Sequence, residues 1–193
     1  SPFSSLYLNI SQLELRDINH FFGMESLEGN TFADITIERN PYTGIPSATG
    51  DVSINHLGYN KTDIGHIGMA LFYEPRDNSS HYVTTQVNYN GKLAFSAEGT
   101  YSPRNEASPI DMTANVAGFP LSLANPFIGA QNAALDGTID GTLSIKGATN
   151  NMLFNGLITP HEASFFLPLV GNKFAIDTPP IKFRDSKLIF EDF

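Results

Sequence analysis

The side chains that could do acid, base or metal chemistry are few in this chain, and they are dispersed. The five histidines are His20, His56, His66, His81 and His161. None of them belongs to a His-Glu-x-x-His motif or to a pair at metal-ligand spacing. His161 directly precedes Glu162, but neighbouring residues of a strand or turn point apart, which favours a solvated turn over an acid–base pair. We therefore predict no metal site and no cofactor.

The possible nucleophiles and carboxylates also lack a catalytic arrangement. No Gly-x-Ser-x-Gly motif presents a serine, and the absence of cysteine excludes thiolate catalysis, disulfides and cysteine-based metal sites. A glycosidase needs only two carboxylates at the right separation. The acids available for one fall on the polar side of predicted strands, where solubility is their simpler role: Asp136, Asp140, Asp177, Asp185 and Asp192. We expect the chain not to be an enzyme.

Charge and composition argue against nucleic-acid binding. The formal net charge is -9, with 11 Lys and Arg against 20 Asp and Glu, and no basic stripe occurs that could displace counterions from a nucleic acid. Charged residues make up only 16% of the chain, so Asn, Ser, Thr and Gly must supply much of its surface. Such a balance is common in envelope and extracellular β proteins.

The elements that must carry these residues are strands, because apolar and polar residues alternate along most of the chain. The clearest case is 135–147, in which Ile139, Gly141, Leu143 and Ile145 share one face. Earlier strands are predicted at 32–37, 51–55, 67–73, 82–89, 92–101 and 110–116. Strands about every ten residues, with almost no helical periodicity, predict an antiparallel all-β architecture.

Three local signals refine this prediction. Asn90-Gly91, between two alternating segments, predicts a tight hairpin. A short helix is expected over 17–23, capped by Asp17 and ended by Gly23. A second short helix is expected over 121–129, interrupted by Pro126.

An internal repeat links the two halves of the chain. Residues 27–37 align without a gap on 135–145, matching Leu, an acid, Gly and a closing apolar–hydroxyl–apolar triplet. Each copy follows an aromatic-rich short helix and precedes a turn and a Gly-led strand. We therefore expect the 193 residues to be a single fragment of a longer β-repeat protein, with internal units of about 1–90 and 91–193.

The motifs of the second half resemble the TamB and AsmA-like superfamily, and in particular the C-terminal region of TamB-like proteins. The resemblance rests on Gly91-Lys-Leu-Ala-Phe-Ser-Ala-Glu-Gly-Thr-Tyr101, Gly118-Phe-Pro-Leu, the 135–147 strand, Phe154-Asn-Gly-Leu-Ile, Phe165-Phe-Leu-Pro-Leu-Val-Gly171 and the closing strands to Phe193. It is clearest from Lys92 onward and weaker over the first half. Asn150-Asn-Met152 departs from it, since many relatives have a proline there.

The resemblance implies a curved antiparallel sheet that forms an open apolar groove, described as β-taco-like. It also implies a periplasmic location, with the full-length protein anchored in the inner membrane, and transport of phospholipid towards the outer membrane. An outer-membrane barrel would be the partner in outer-membrane biogenesis and in protein assembly or secretion. The family has no catalytic motif to transfer.

We expect the groove to be lined by one face of successive strands. The candidate lining residues are Val52, Ile54, Leu71, Val87, Leu93, Phe95, Leu143, Ile145, Phe154, Ile158, Phe174, Ile176, Phe183 and Phe190. Alternation alone cannot distinguish such a groove from a closed core, and without the resemblance it favours a β-sandwich. The alternative function is accordingly a secreted β-sandwich module for binding or adhesion, with a glycan or protein ligand.

Overall fold

The computed structural model describes residues 5–18, 20, 26–77, 79–128, 133–148, 150–176 and 180–189. Their strands form one open antiparallel sheet, accompanied by two one-turn helices and one 3-10 turn. The prediction of an all-β chain with a curved, open antiparallel sheet is confirmed. The alternative module requires two packed sheets, whereas the described strands make up one.

The strands are longer than the alternating segments suggested, because several begin or end in polar residues that still pair. Their bounds are β1 Ser5–Glu14, β2 Leu27–Arg39, β3 Pro46–Tyr59, β4 Thr62–Pro75, β5 His81–Tyr89, β6 Lys92–Tyr101, β7 Ile110–Pro120, β8 Ala134–Ala148, β9 Asn151–Leu167, β10 Asn172–Ala175, β11 Ile181–Arg184 and β12 Lys187–Ile189. The helices are α1 (Leu15–Ile18) and α2 (Asn125–Ile128).

The sheet is a meander in which each strand from β1 to β9 pairs with its neighbours in the chain. Two strands pair with the outer edge of β9: β10 near its C-terminal end and β11 nearer its middle. Strand β12 then pairs with β11. The predicted hairpin at Asn90-Gly91 is confirmed, and both residues have the positive φ values, 48° and 79°, that a two-residue turn requires. Asn60-Lys61 and Asp185-Ser186 make similar turns.

The short helices differ from the prediction in their limits. Helix α1 begins at Leu15, so Asp17 lies inside its single turn and the prediction that this residue caps the helix is wrong. Gly23 lies outside the described residues. Helix α2 follows a 3-10 turn at Leu121–Ala124 and has Pro126 in its first turn, where a missing N–H breaks no helical hydrogen bond. Gly129 is also outside the described residues.

The aligned segments 27–37 and 135–145 contain the same type of β-bulge. The register shifts around Gly29 against β3 and around Gly137 against β9, and these glycines have φ values of 143° and 95°. The facing strands contribute His56 and Glu162, both with positive φ. A Cβ would lie 2.9 Å from the Ile54 side chain at Gly29 and 2.6 Å from Ala163 Cα at Gly137, so only glycine fits. This geometry agrees with the repeat, while the division into units stays a prediction.

The solvent-exposed area shows how open the sheet is. The chain exposes 12259 Å², whereas a compact monomer of its mass exposes about 9,000 Å². Among the described residues, the buried hydrophobic side chains are alanines apart from Leu15, and the largest fully buried side chain is that of Pro75. Large apolar side chains therefore remain partly accessible instead of filling a closed interior.

Candidate functional site: an uncovered apolar face

Strand register gathers the apolar side chains on one face of the sheet. Directly paired residues of antiparallel strands project to the same side, so each series of pairs forms a row across the sheet. The central row is Ile10, Ala33, Val52, Met69, Val87, Phe95, Val116, Gly141, Ile158 and Ile181. The second row is Leu8, Ile35, Gly50, Leu71, Thr85, Ala97, Ala114, Leu143, Gly156 and Phe183. The third row is Leu6, Ile37, Ala48, Tyr73, Val83, Gly99, Met112, Ile145 and Phe154.

These three rows, which we call the apolar face, contain no charged side chain. Their two hydroxyl groups are already paired: Thr85 Oγ1 donates to the Ala70 carbonyl at 3.0 Å, and the Tyr73 hydroxyl shares a hydrogen bond with Nδ1 of His81. Ten strands at a spacing of about 4.8 Å make the central row about 43 Å long when it is followed along the sheet. The face is therefore a continuous apolar strip without a fixed polar contact point.

Glycines show that the backbones of adjacent strands come close together on the apolar face. A Cβ built on Gly50, Gly99, Gly141 and Gly156 would lie 2.7, 2.2, 2.3 and 2.1 Å, respectively, from a carbonyl oxygen of an adjacent strand. On the opposite face, a Cβ on Gly68 would meet nothing nearer than 3.8 Å. Two alanines of the rows agree with this, because Ala97 in β6 and Ala114 in β7 are buried although α1, α2 and the 3-10 turn pack mainly against β1, β2 and β8. We infer that the apolar face is the concave one.

Nine of the predicted lining residues belong to the three rows. Val52, Val87, Phe95 and Ile158 lie in the central row, Leu71, Leu143 and Phe183 in the second, and Ile145 and Phe154 in the third. Ile54 pairs with Thr31 and Ile67 in the row that flanks the central one. The register thus places these ten on one side of the sheet, as the hypothesis requires.

The remaining four predicted residues lie outside the three rows. Phe174 pairs with Phe165 and stacks on it at 5.1 Å between ring centroids, beside Leu135. Ile176 follows β10, and its N–H donates to the Ala163 carbonyl at 2.7 Å. A register shift in β6 pairs Leu93 with Asn88, which places Leu93 with the polar side chains instead of the lining. Phe190 lies outside the described residues.

Sequence reasoning missed several members of the face. Met69, Met112 and Val116 continue the rows between predicted residues, and their position in alternating strands was a signal that could have found them. Ala97 and Ala114 could not be found in this way, because small residues carry a weak hydrophobic signal. Their importance comes from the crowding of the concave side.

Buried polar atoms lie in the rows that flank the apolar face. Among the described residues, Oγ1 of Thr31 on one side and Nε2 of His81 on the other are buried without a hydrogen-bond partner. The His81 ring packs edge to face between Tyr73 and Tyr101, at 5.4 and 6.0 Å between centroids. Burial, together with the neighbouring Tyr101, raises the pKa of the Tyr73 hydroxyl above its usual value.

The opposite face carries the charges. Lys146 pairs with Asp111 at 3.0 Å, Lys173 with Asp136 at 3.1 Å, and His161 Nε2 lies 2.7 Å from Asp140 Oδ2. The hydrogen bond from Lys173, assisted by the Gly137 N–H, lowers the pKa of Asp136. Because this face is solvated, its ion pairs orient side chains but contribute little to stability. We call it the polar face.

The pairing of His161 with Asp140 is a contact that sequence reasoning missed, because it considered only the adjacent Glu162. Of the other acids named above, Asp185 lies in the β11–β12 turn, and its N–H donates to the Asn155 side chain at 3.0 Å. Asp177 and Asp192 lie outside the described residues.

Within the ranges that the structure describes, no three His, Asp or Glu side chains lie together as a metal site requires. The described helices are all too short to cross a membrane. No protein family, curated protein or solved structure matches the chain.

Proposed function

We propose that this chain is a segment of a periplasm-spanning TamB/AsmA-like protein and that its apolar face shields phospholipid acyl chains from water. The observation that carries the proposal is the set of three charge-free rows, continuous over nine or ten strands and not covered by a second sheet in the described part of the chain. An uncovered apolar surface of this extent needs an apolar occupant.

The energetics favour a chain-like ligand that can move. Each CH₂ group withdrawn from water contributes about 0.8 kcal/mol, so half-covering an acyl chain of about sixteen carbons offsets several kcal/mol. One leaflet of a bilayer holds acyl chains over about 15 Å, and the strip of about 43 Å is nearly three times as long. Because both hydroxyls of the rows are already paired, no polar group holds a lipid at one point.

The cellular role follows from the resemblance described above. Transport runs from the inner to the outer membrane through the periplasm and supports outer-membrane biogenesis and protein assembly or secretion, with an outer-membrane barrel as partner of the full-length protein. The acidic polar face is turned to solvent in this arrangement, which keeps the segment soluble between two membranes.

Two adjacent residues of β4 provide a matched test. Leu71 lies in the second row and is 45% exposed, whereas Phe72 lies on the polar face and is 38% exposed. We expect Leu71→Asp to reduce bound phospholipid by roughly tenfold, since a buried carboxylate opposes apolar contact. We expect Phe72→Asp to retain lipid.

Native mass spectrometry of each purified variant, with an organic extract analysed alongside, measures the bound lipid. Circular dichroism establishes that both variants remain folded. Equal lipid content in Leu71→Asp, Phe72→Asp and the unmodified chain, or no lipid in any of them after incubation with phospholipid, would refute the proposal.

A further inference from the structure

We propose that the β9–β10 hairpin tip, residues 167–172, inserts into a lipid surface. Leu169 is 96% exposed and Val170 is 55% exposed at this tip. Other turns of the described chain carry polar or charged residues, such as Asn60-Lys61, Asn90 and Asp185-Ser186. Two adjacent aliphatic side chains at the end of a protruding hairpin are therefore a distinct feature of this end of the sheet.

The tip has the chemistry that a membrane requires. No charged residue occurs between Glu162 and Lys173, a stretch of ten residues. Two backbone N–H groups of the tip are satisfied internally, since those of Val170 and Gly171 both donate to the Leu167 carbonyl, at 3.2 and 2.9 Å. A segment that enters hydrocarbon must pair its own backbone groups, because no water is there to do so.

Aromatic side chains continue the apolar surface behind the tip. Phe165 and Phe174 stack on each other, and Phe166 is exposed on the same hairpin. Lys173 lies opposite Phe166, one pair behind Asn172, and forms an ion pair with Asp136 on the polar face. Aliphatic residues therefore lie at the tip, and aromatic rings and a paired cation lie together at the first strand pairs behind it, the two residue types that anchor proteins at a bilayer interface.

A lipid surface fits this tip better than a protein groove does, because the tip lies on the strand that carries the apolar face. Strand β9 contributes Phe154, Gly156 and Ile158 to the three rows and then leads to the tip. Insertion would therefore tether the strand that carries part of the apolar strip to the bilayer. The inference goes beyond the proposed acyl-chain binding, since the tip can enter a membrane whether or not the face holds lipid.

The chain contains no tryptophan, so a single introduced indole reports on one site. We expect the fluorescence of Leu169→Trp to shift to shorter wavelength with neutral phosphatidylcholine vesicles and to be quenched by brominated phosphatidylcholine. Tyr42→Trp is the control, because Tyr42 is 95% exposed on the β2–β3 turn. Its emission should not change.

A second variant tests the native side chains. Leu169→Asp combined with Val170→Asp should lower vesicle binding of the chain by roughly tenfold or more, because two aliphatic groups lose their hydrocarbon contact. Unchanged thermal unfolding would show that the variant is folded, and the doubly changed Tyr42→Asp and Thr43→Asp chain serves as its charge control.

Three results would overturn the proposal. These are no quenching of Leu169→Trp, equal quenching at positions 169 and 42, or a spectral shift that depends on protein concentration and occurs without vesicles, which would indicate association between copies of the chain. Because this assay measures vesicle binding and the Leu71→Asp assay measures retained lipid, the two proposals can fail independently.

Discussion

Glycine and tyrosine occur on both faces of the sheet, and their surroundings differ. A Cβ on Gly99 of the apolar face would lie 2.2 Å from the Asp111 carbonyl oxygen, whereas Gly68 of the polar face has no neighbour within 3.8 Å. Tyr73 shares its hydrogen bond with the buried His81, whereas the Tyr82 hydroxyl donates to the exposed Glu98 at 3.1 Å. Gly99 and Tyr73 are therefore surrounded by other protein atoms on the apolar face. Gly68 and Tyr82 face open space or solvent on the polar face.

The glycine pair should give the largest difference between the faces. We expect Gly99→Ala to lower the free energy of unfolding by about 3 kcal/mol, because the added methyl group collides with backbone that cannot move without breaking the β6–β7 pairing. Gly68→Ala should change it by less than about 0.5 kcal/mol. Urea denaturation of both variants measures this, and equal destabilisation would contradict a concave apolar side.

The tyrosine pair should give a smaller difference. Tyr73→Phe removes the partner of His81 Nδ1 from a ring that is only 5% exposed and whose Nε2 is already unpaired. We expect a loss of about 1–2 kcal/mol in the free energy of unfolding. Tyr82→Phe should have little effect, because water can replace its hydroxyl at Glu98. A larger effect of Tyr82→Phe in thermal unfolding would show that solvent does not control the convex side.

The smallest effect should come from the charges of the polar face. The pKa of Asp136 in the folded chain is below its ordinary value of 3.8. The stabilisation from Lys173 is therefore fully present above that ordinary value and is lost as the pH falls through the lowered one. The carboxyl chemical shift of Asp136, followed by NMR, should titrate below pH 3.8 in the native chain, and Lys173→Met should return the transition towards that value. A transition that Lys173→Met leaves unmoved would exclude the ion pair as its cause.

Much of the fold was predictable because alternation and turn chemistry are local. The hairpin at Asn90-Gly91 follows from two residues that tolerate positive φ. Leu143 and Ile145 lie on the same face because they are two residues apart in one strand. The position of Leu93 was not predictable, because a bulge in β6 changes its partner. The pairing of His161 with Asp140 likewise depends on two strands that only the register brings together.

The sequence by itself determined the all-β class, the strand faces and the absence of charge from the alternating apolar positions, since each depends on the intrinsic period of an extended chain. Only the tertiary structure decided that these faces join into one strip with no second sheet over it in the described residues, because a closed sandwich has the same alternation. It also supplied the contacts between glycines and the backbone of neighbouring strands from which we infer the concave side. Those contacts join residues far apart in the chain, so no local pattern encodes them.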